Sequence, residues 1–375
     1  MIHQITLLGG QVLPVYWGIL EKNPIVVHIL YTKETRHFLS NIKNEFSRIE
    51  FHTYQVEPYD FIGIKDLIAE IIIGNDGNQF QLNLTSGTKV MALACQSVVS
   101  ELSHEVFYID QKHRIIDISN ATTSTLESNI KIKTFFGLTG HKNFSYSLYS
   151  DYSIEEKSFA QNIFELTQTK SGIQKLFELV RSKCEKPESI KDFSYLNEHF
   201  TLSWKNSTLK IQLNEMTLIC NSPRAFQIAF GGLWWEMVVA DITSKWKRSI
   251  EQFLGVSIAS KDSIQTKNEI DIILNTGKNL IFIECKSGNV NQSDLNKMRS
   301  VNKLYGGISS KSIIVCRFIP RKDLLEKCKD FGIEVFAYQT SFANSTINNS
   351  KYTSFTNLNE LLKKLDVLVN RLEIE

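Results

Sequence analysis

The chain has 375 residues, 42% of them hydrophobic and 22% charged, with a formal net charge of +2. That length suffices for two or three domains, each with its own core, and the composition is that of an ordinary globular protein. The near-neutral balance excludes nucleic-acid affinity through a basic chain as a whole, so any such affinity must come from local patches. Residues 1–10 lack a basic segment and a long apolar run, so no signal peptide is expected. The longest uncharged apolar stretch, 225–235, is too short to cross a bilayer. The six cysteines form no Cys-x-x-Cys pair, and several sit in apolar runs. This reads as reduced, mostly buried thiols in a cytoplasmic protein. The eight histidines show no ligand spacing, so no structural zinc site is expected.

Apolar runs at 2–8, 25–30, 80–84 and 106–109 predict buried strands, and amphipathic stretches at 35–46, 60–73 and 89–101 predict helices between them. Strands alternating with helices at this spacing imply an α/β fold with a mainly parallel sheet, whose ligands bind beyond the carboxyl ends of the strands. Thr85-Ser86-Gly87-Thr88-Lys89 falls where one of these strands ends and a helix begins. A helix N-terminus offers free N–H groups and a positive dipole end to anions, and Gly87 permits close backbone approach. Thr85, Ser86 and Thr88 add hydroxyl donors and Lys89 adds charge, which makes a phosphate-binding loop in physical terms. Its spacing is neither that of a Walker A loop nor that of a dinucleotide fingerprint. Gly9-Gly10-Gln11 and Tyr31-Thr32 end two further strands on the same sheet edge. Plain N-capping is the competing reading, but capping alone does not require five such residues in a row.

Residues 120–127 are rich in Ser and Thr and read as a loop. Helices are expected at 158–168 and 172–182, and 202–213 alternates as a hairpin does. The stretch 141–222 reads as a partly helical connector with room for a small winged-helix-like element.

From residue 223 a helix is expected at 233–242, then strands at 269–274 and 280–285 joined by a turn at 275–277. A helix at 293–304 ends at Gly306-Gly307. A strand at 312–315, a helix at 322–329, a strand at 333–338 and a terminal helix at 357–372 follow, with a polar loop at 343–350. Strand geometry decides which side chains meet here. Residues two apart share a face, so Glu284 and Lys286 project together while Ile281, Ile283 and Cys285 project oppositely. The short turn brings Asp271 beside Glu284. Two close carboxylates repel unless neutralised, and a hard divalent cation does this while also taking substrate phosphate as a ligand. Lys286 then offsets transition-state charge, and the Cys285 main-chain carbonyl is a further candidate ligand. A Glu-x-Lys triplet alone is most often a solvated strand face; the strand–turn–strand context is what raises it above that.

The set Asp271, Glu284 and Lys286 resembles the PD-(D/E)xK nuclease superfamily. Members often carry an upstream helix glutamate, a place taken by Glu236, which the resemblance makes a catalytic and possible metal-binding residue. Gln292 and Lys297 in the following helix also look similar. Trp234 and Trp235 read as packing residues. The run 85–89 resembles the signature of the CARF domain, a Rossmann-like sensor of cyclic oligoadenylates in type III CRISPR systems. Many members have Gly-Gly-Thr-Lys there, and Ser86 replaces the first glycine.

Together the resemblances imply a CARF sensor at 1–140, the connector at 141–222 and a restriction-endonuclease-like αβα domain at 223–375. They imply a homodimer that binds cyclic tetra-adenylate through Gly9, Gly10, Gln11, Thr32 and Thr85 to Lys89. The expected activity is manganese- or magnesium-dependent cleavage of single-stranded DNA or RNA, or nicking of plasmid DNA. Two rivals remain open from sequence: a ligand-responsive, non-catalytic nucleic-acid-binding regulator, and a repair nuclease with no nucleotide signal.

Overall fold

The computed structural model describes residues 1–99, 104–169, 192–196, 200–213, 216–259, 266–306, 310–338, 353–355 and 357–374. The chain divides into two compact units. One holds Met1–Asn143 with Gly307–Ser309 and Val369–Glu375, the other Phe144–Gly306 with Ser310–Leu368.

In the first unit strands and helices alternate: β1 (Ile2–Leu8), α1 (Leu13–Lys22), β2 (Val26–Tyr31), α2 (Leu39–Glu45), β3 (Glu50–Gln55), α3 (Phe61–Ile73), β4 (Gln79–Asn83), α4 (Lys89–Val99) and β5 (Glu105–Ile109). β6 (Arg114–Asp117), β7 (Thr122–Thr125) and α5 (Ile132–Leu138) follow. The sheet runs β3-β2-β1-β4-β5-β6-β7, its first five strands parallel. The strand order reverses between β1 and β4, and the loops after those two strands flank the crevice this creates. Ile5, Leu7, Leu30, Phe80 and Leu82 pack with Ile64 and Ile68 of α3 and Met91 of α4 into one core.

Five elements of this unit, α1, β3, β6, β7 and α5, have no counterpart among those expected from sequence, and three of them show why. α1 has Pro14 in its first turn and closes on Asn23 at φ 46°. β3 is an edge strand with no fully buried residue. β7 corrects the loop expected at 120–127: Thr122 to Thr125 are all exposed and pair antiparallel with β6. Threonine's fit to a pleated surface, not burial, makes that strand.

On the core face, His3, His28 and His52 stack across β1, β2 and β3, with ring centroids 5.3 and 5.2 Å apart. His3 Nδ1 lies 3.1 Å from His28 Nε2, and the Tyr54 hydroxyl 3.2 Å from His28 Nδ1. Glu50 pairs with His52 at 3.0 Å. Burial, then the neighbouring imidazoles, push His28 down to about 4.

The second unit opens with β8 (Phe144–Ser147) and α6 (Ile154–Thr169). An antiparallel meander follows, of β9 (Phe193–Leu196), β10 (Phe200–Lys205), β11 (Thr208–Leu213) and β12 (Met216–Asn221). The hairpin expected at 202–213 is β10–β11, closed by Asn206 and Ser207 at φ 48° and 61°, the left-handed pair a two-residue hairpin turn requires. The expected helix at 172–182 and loop at 343–350 lie outside the described residues.

Then come α7 (Ala225–Phe230), α8 (Leu233–Ser244), β13 (Glu251–Ala259), β14 (Thr266–Asn275), β15 (Leu280–Lys286), α9 (Gln292–Val301), β16 (Ser310–Cys316), α10 (Lys322–Asp330), β17 (Ile333–Tyr338), β18 (Thr353–Phe355) and α11 (Glu360–Ile374). Their sheet runs β18-β17-β16-β15-β14-β13-β8, antiparallel from β8 to β15 and parallel from β15 to β18. Gly277 at φ 93° turns β14 into β15. The helix expected to reach residue 304 ends at Val301 and widens into a π turn over Asn302–Gly306. Trp234 and Trp235 are 3% and 0% exposed, and the Trp235 indole donates to the Val315 carbonyl at 3.0 Å, so both are packing residues. Among the described residues, Cys95, Cys220, Cys285, Cys316 and Cys328 are free and buried, and no helix is long and apolar enough to cross a membrane.

Candidate functional site

β14 and β15 pair Ile272 with Ile283. Asp271 is therefore one step beyond that pair, at the level of Glu284. Its Oδ2 accepts a hydrogen bond from the Cys285 amide at 2.7 Å, which fixes the carboxylate against β15. Glu284 is completely buried. Lys286 Nζ lies 2.8 Å from Glu284 Oε1, as expected for residues sharing a strand face.

Two residues that sequence reasoning did not place in the site complete it. Asp294 stands in the first turn of α9, held by a reciprocal cap: Asn291 Oδ1 accepts from the Asp294 amide, and Asp294 Oδ2 accepts from the Asn291 amide. Its other oxygen lies 3.1 Å from Lys286 Nζ. Lys297, noted from sequence only for its resemblance, follows three residues later on the same helix face. Its Nζ is 2.6 Å from Glu284 Oε2 and 3.8 Å from Asp271 Oδ1. The readable signal was the pair of charges at i, i+3 directly after an Asn cap.

Burial, then Glu284, push Asp271 up to about 7. Glu236, in the first turn of α8, is raised well above the usual carboxylate range by burial, then by Asp271, Glu269 and Glu284. All three predicted carboxylates thus share one field. Burial works against charge on Lys286, but Glu284 and Asp294 outweigh it and raise its pKa. Among the described residues no three His, Cys, Asp or Glu side chains are already grouped to hold a metal ion. Lys297 stands beside both Asp271 and Glu284 and supplies the positive charge the pair needs. The donor set of crowded carboxylate oxygens fits a hard divalent cation chemically.

The first unit builds a second site from its two switch-point loops. Gly87, at φ 81°, has no room for a Cβ, which would lie 2.9 Å from that of Leu7. A Cβ on Gly9 would strike the Gly87 amide. Ser86 joins the loops, accepting from the Gly9 amide and donating to the Gln11 carbonyl, both at 2.9 Å. Thr85 donates to Asn83 Oδ1 at 2.6 Å and accepts from the Ile109 amide at 2.7 Å. Thr88 donates to the Pro58 carbonyl at 2.7 Å and caps α4 by accepting from the Met91 amide at 3.2 Å.

The three hydroxyls expected as ligand donors are therefore engaged in holding the loop, and capping is part of what Thr88 does. A cavity of about 360 Å³ lies alongside. Of the nominated residues, Gly9, Gly10, Thr32, Gly87 and Thr88 line it; Gln11, Thr85, Ser86 and Lys89 do not. Glu34 and Tyr59, missed from sequence, also line it.

A Rossmann-like sheet with nucleotide-type loops, together with a mixed sheet presenting carboxylates and lysine, is the architecture of a ligand sensor joined to a nuclease. Residues 20–135 match the Card1 CARF domain, and residues 224–341 match the Card1-like endonuclease domain. The chain therefore carries a CARF domain and an endonuclease domain, each of the Card1 type. No curated protein matches it in sequence. Among solved structures, it is similar to Can2 from Sulfobacillus thermosulfidooxidans, described in complex with cyclic tetra-adenylate, with a TM-score of 0.71 and 20% identity over 99% of this chain and 100% of that one. It is similar to protein VC1899 from Vibrio cholerae, at 0.74 and 13% over 99% and 98%. It also resembles a type III CRISPR defence DNA nuclease described as activated by cyclic oligoadenylate, at 0.58 and 15%, covering 97% of this chain and 51% of that one. At these identities the likeness speaks for the fold.

Proposed function

We propose that this endonuclease uses Asp271, Glu284 and Lys286 for divalent-metal-dependent phosphodiester hydrolysis, and that cyclic tetra-adenylate bound by the CARF domain switches it on in type III CRISPR defence. The observation that carries the catalytic part is the convergence of Asp271 and buried Glu284 on two lysines. Manganese or magnesium, held by Asp271 and Glu284 with Glu236 and the Cys285 carbonyl as further donors, would supply an activated water and polarise the phosphoryl oxygen. Lys286, anchored between Glu284 and Asp294, keeps its charge and offsets the negative charge that builds on the phosphate. Asp271, pinned by the Cys285 amide, keeps its carboxylate facing Glu284. Lys297 neutralises the pair when no other cation is near.

The ligand part is supported by the cavity beside the switch point and by the two loops that Ser86 ties together. A ring of four equal nucleotides matches a two-fold homodimer that presents the same loops twice. The ring must bind the active arrangement better than the resting one. The substrates are single-stranded DNA, single-stranded RNA or intact duplex plasmid DNA, which is nicked. The deciding experiment measures cleavage of all three with and without cyclic tetra-adenylate and manganese. Cleavage that depends on both supports the reading; equal cleavage without the ring removes the sensor role.

A further inference from the structure

The cavity of the first unit has two chemistries on its wall. Gly10, Gly87 and Thr88 bring backbone from the β1 and β4 loops, suited to phosphate. Glu34 and Tyr59 bring a carboxylate and an aromatic ring. A carboxylate is misplaced in a site that recognises only phosphates, since like charges repel.

Both residues are held where they stand. Glu34 sits in a tight turn after β2, where the Thr32 amide donates to Thr35 Oγ1 at 3.0 Å and the Thr35 amide donates to the Thr32 carbonyl at 3.1 Å. A hydrogen bond from the Thr32 side chain holds the Glu34 carboxyl below its ordinary range, so it is an acceptor only. Tyr59 follows Pro58, whose carbonyl is tied to Thr88 of the anion loop. Tyr59 is 77% exposed although it borders a cavity, so it is open to a ligand.

An acceptor-only group beside an open aromatic ring suits a flat heteroaromatic base that carries an exocyclic amine. We propose that Glu34 and Tyr59 read the base of the bound ring nucleotide, Glu34 accepting from the adenine amine and Tyr59 stacking on the base. This rests on the reading of the cavity as the cyclic tetra-adenylate site. It makes the selection of adenine a property of the loops after β2 and β3, separate from phosphate binding after β1 and β4.

The test is calorimetric titration of wild type, Glu34→Ala and Tyr59→Ala with cyclic tetra-adenylate and with cyclic tetra-inosinate, in which an oxygen acceptor replaces the amine. Wild type is expected to prefer the adenylate ring about tenfold or more. Glu34→Ala is expected to bring that ratio to within about twofold, since only the hydrogen bond discriminates. The ratio is insensitive to the general gain from removing a negative charge near phosphates. Tyr59→Ala is expected to weaken both rings about tenfold while keeping the ratio. An unchanged ratio in Glu34→Ala, or wild-type affinity of Tyr59→Ala for both rings, overturns the base assignment alone. Failure of wild type to bind either ring overturns the reading of the cavity and the assignment with it.

Discussion

The two sites solve opposite problems with opposite materials. In the CARF domain the hydroxyls of Thr85, Ser86 and Thr88 are engaged inside the protein, and the glycine backbone of two loops is brought to the cavity. In the endonuclease domain charged side chains crowd together and neutralise one another through Lys286 and Lys297. Recognition of an anion needs only fixed dipoles, which cost little to hold. A hydrolytic centre needs groups whose charge responds to a cation and a substrate, and burial makes that response large. Side-chain changes should therefore cripple the second site, whereas phosphate binding at the first should yield to backbone changes.

The sharpest way to break this contrast is Glu284→Gln. Cleavage is expected to fall about a hundred- to a thousandfold while cyclic tetra-adenylate affinity stays normal. Near-normal cleavage in a clean preparation would remove Glu284 from the site. Gly9→Ala tests the other half, because a Cβ there strikes the Gly87 amide. Ring affinity should drop about tenfold or more from backbone strain. Normal affinity by titration would mean that the loops need not touch.

Lys297→Met sharpens the account of the carboxylate pair. Without divalent metal the folded protein should lose about 2 kcal/mol as Asp271 and Glu284 face each other. Manganese should restore most of it in a thermal melt. A loss that manganese leaves untouched would make Lys297 a packing residue.

The histidine row gives a pH test confined to the first unit. His28 has a folded value near 4 against an ordinary 6.5. The unfolded chain then binds more protons between those values, so stability rises with pH across that window and is lost on acidification. His28→Phe should flatten the dependence by about 2 kcal/mol between pH 6.5 and 4. An unchanged slope in chemical denaturation would assign acid sensitivity elsewhere. Smallest of all should be Lys89→Ala: Lys89 is exposed and outside the cavity wall, so ring affinity should fall only a few-fold, and less at high salt.

Much of this was readable because apolar runs and charge patterns are local. The β14–turn–β15 unit showed itself through Ile, Phe and Leu runs around a Gly turn, and strand periodicity alone put Glu284 beside Lys286. Asp294 is marked in sequence only as a charge after an Asn cap; that the cap turns it toward a lysine eight residues earlier in the chain comes from the fold. In sequence Thr85 and Ser86 look like outward donors, because sequence shows which groups are present but not which partners consume them. Tyr59 and Glu34 lie in loops with no periodicity, and only the fold brings them to one cavity. β3 and β7 were hidden for the converse reason, being strands with exposed faces.

The position of β15 has a kinetic consequence. It is paired on one edge with β14 and on the other with β16, and from Leu280 to Cys285 every side chain is buried. Amides in such a strand exchange with deuterium only when the sheet opens cooperatively, not when an edge frays. The doubly paired stretch is Leu280–Ile283; Glu284 and Lys286 follow it directly and stay paired with β16, so rim loops can fluctuate without blurring the spacing of these two candidate residues.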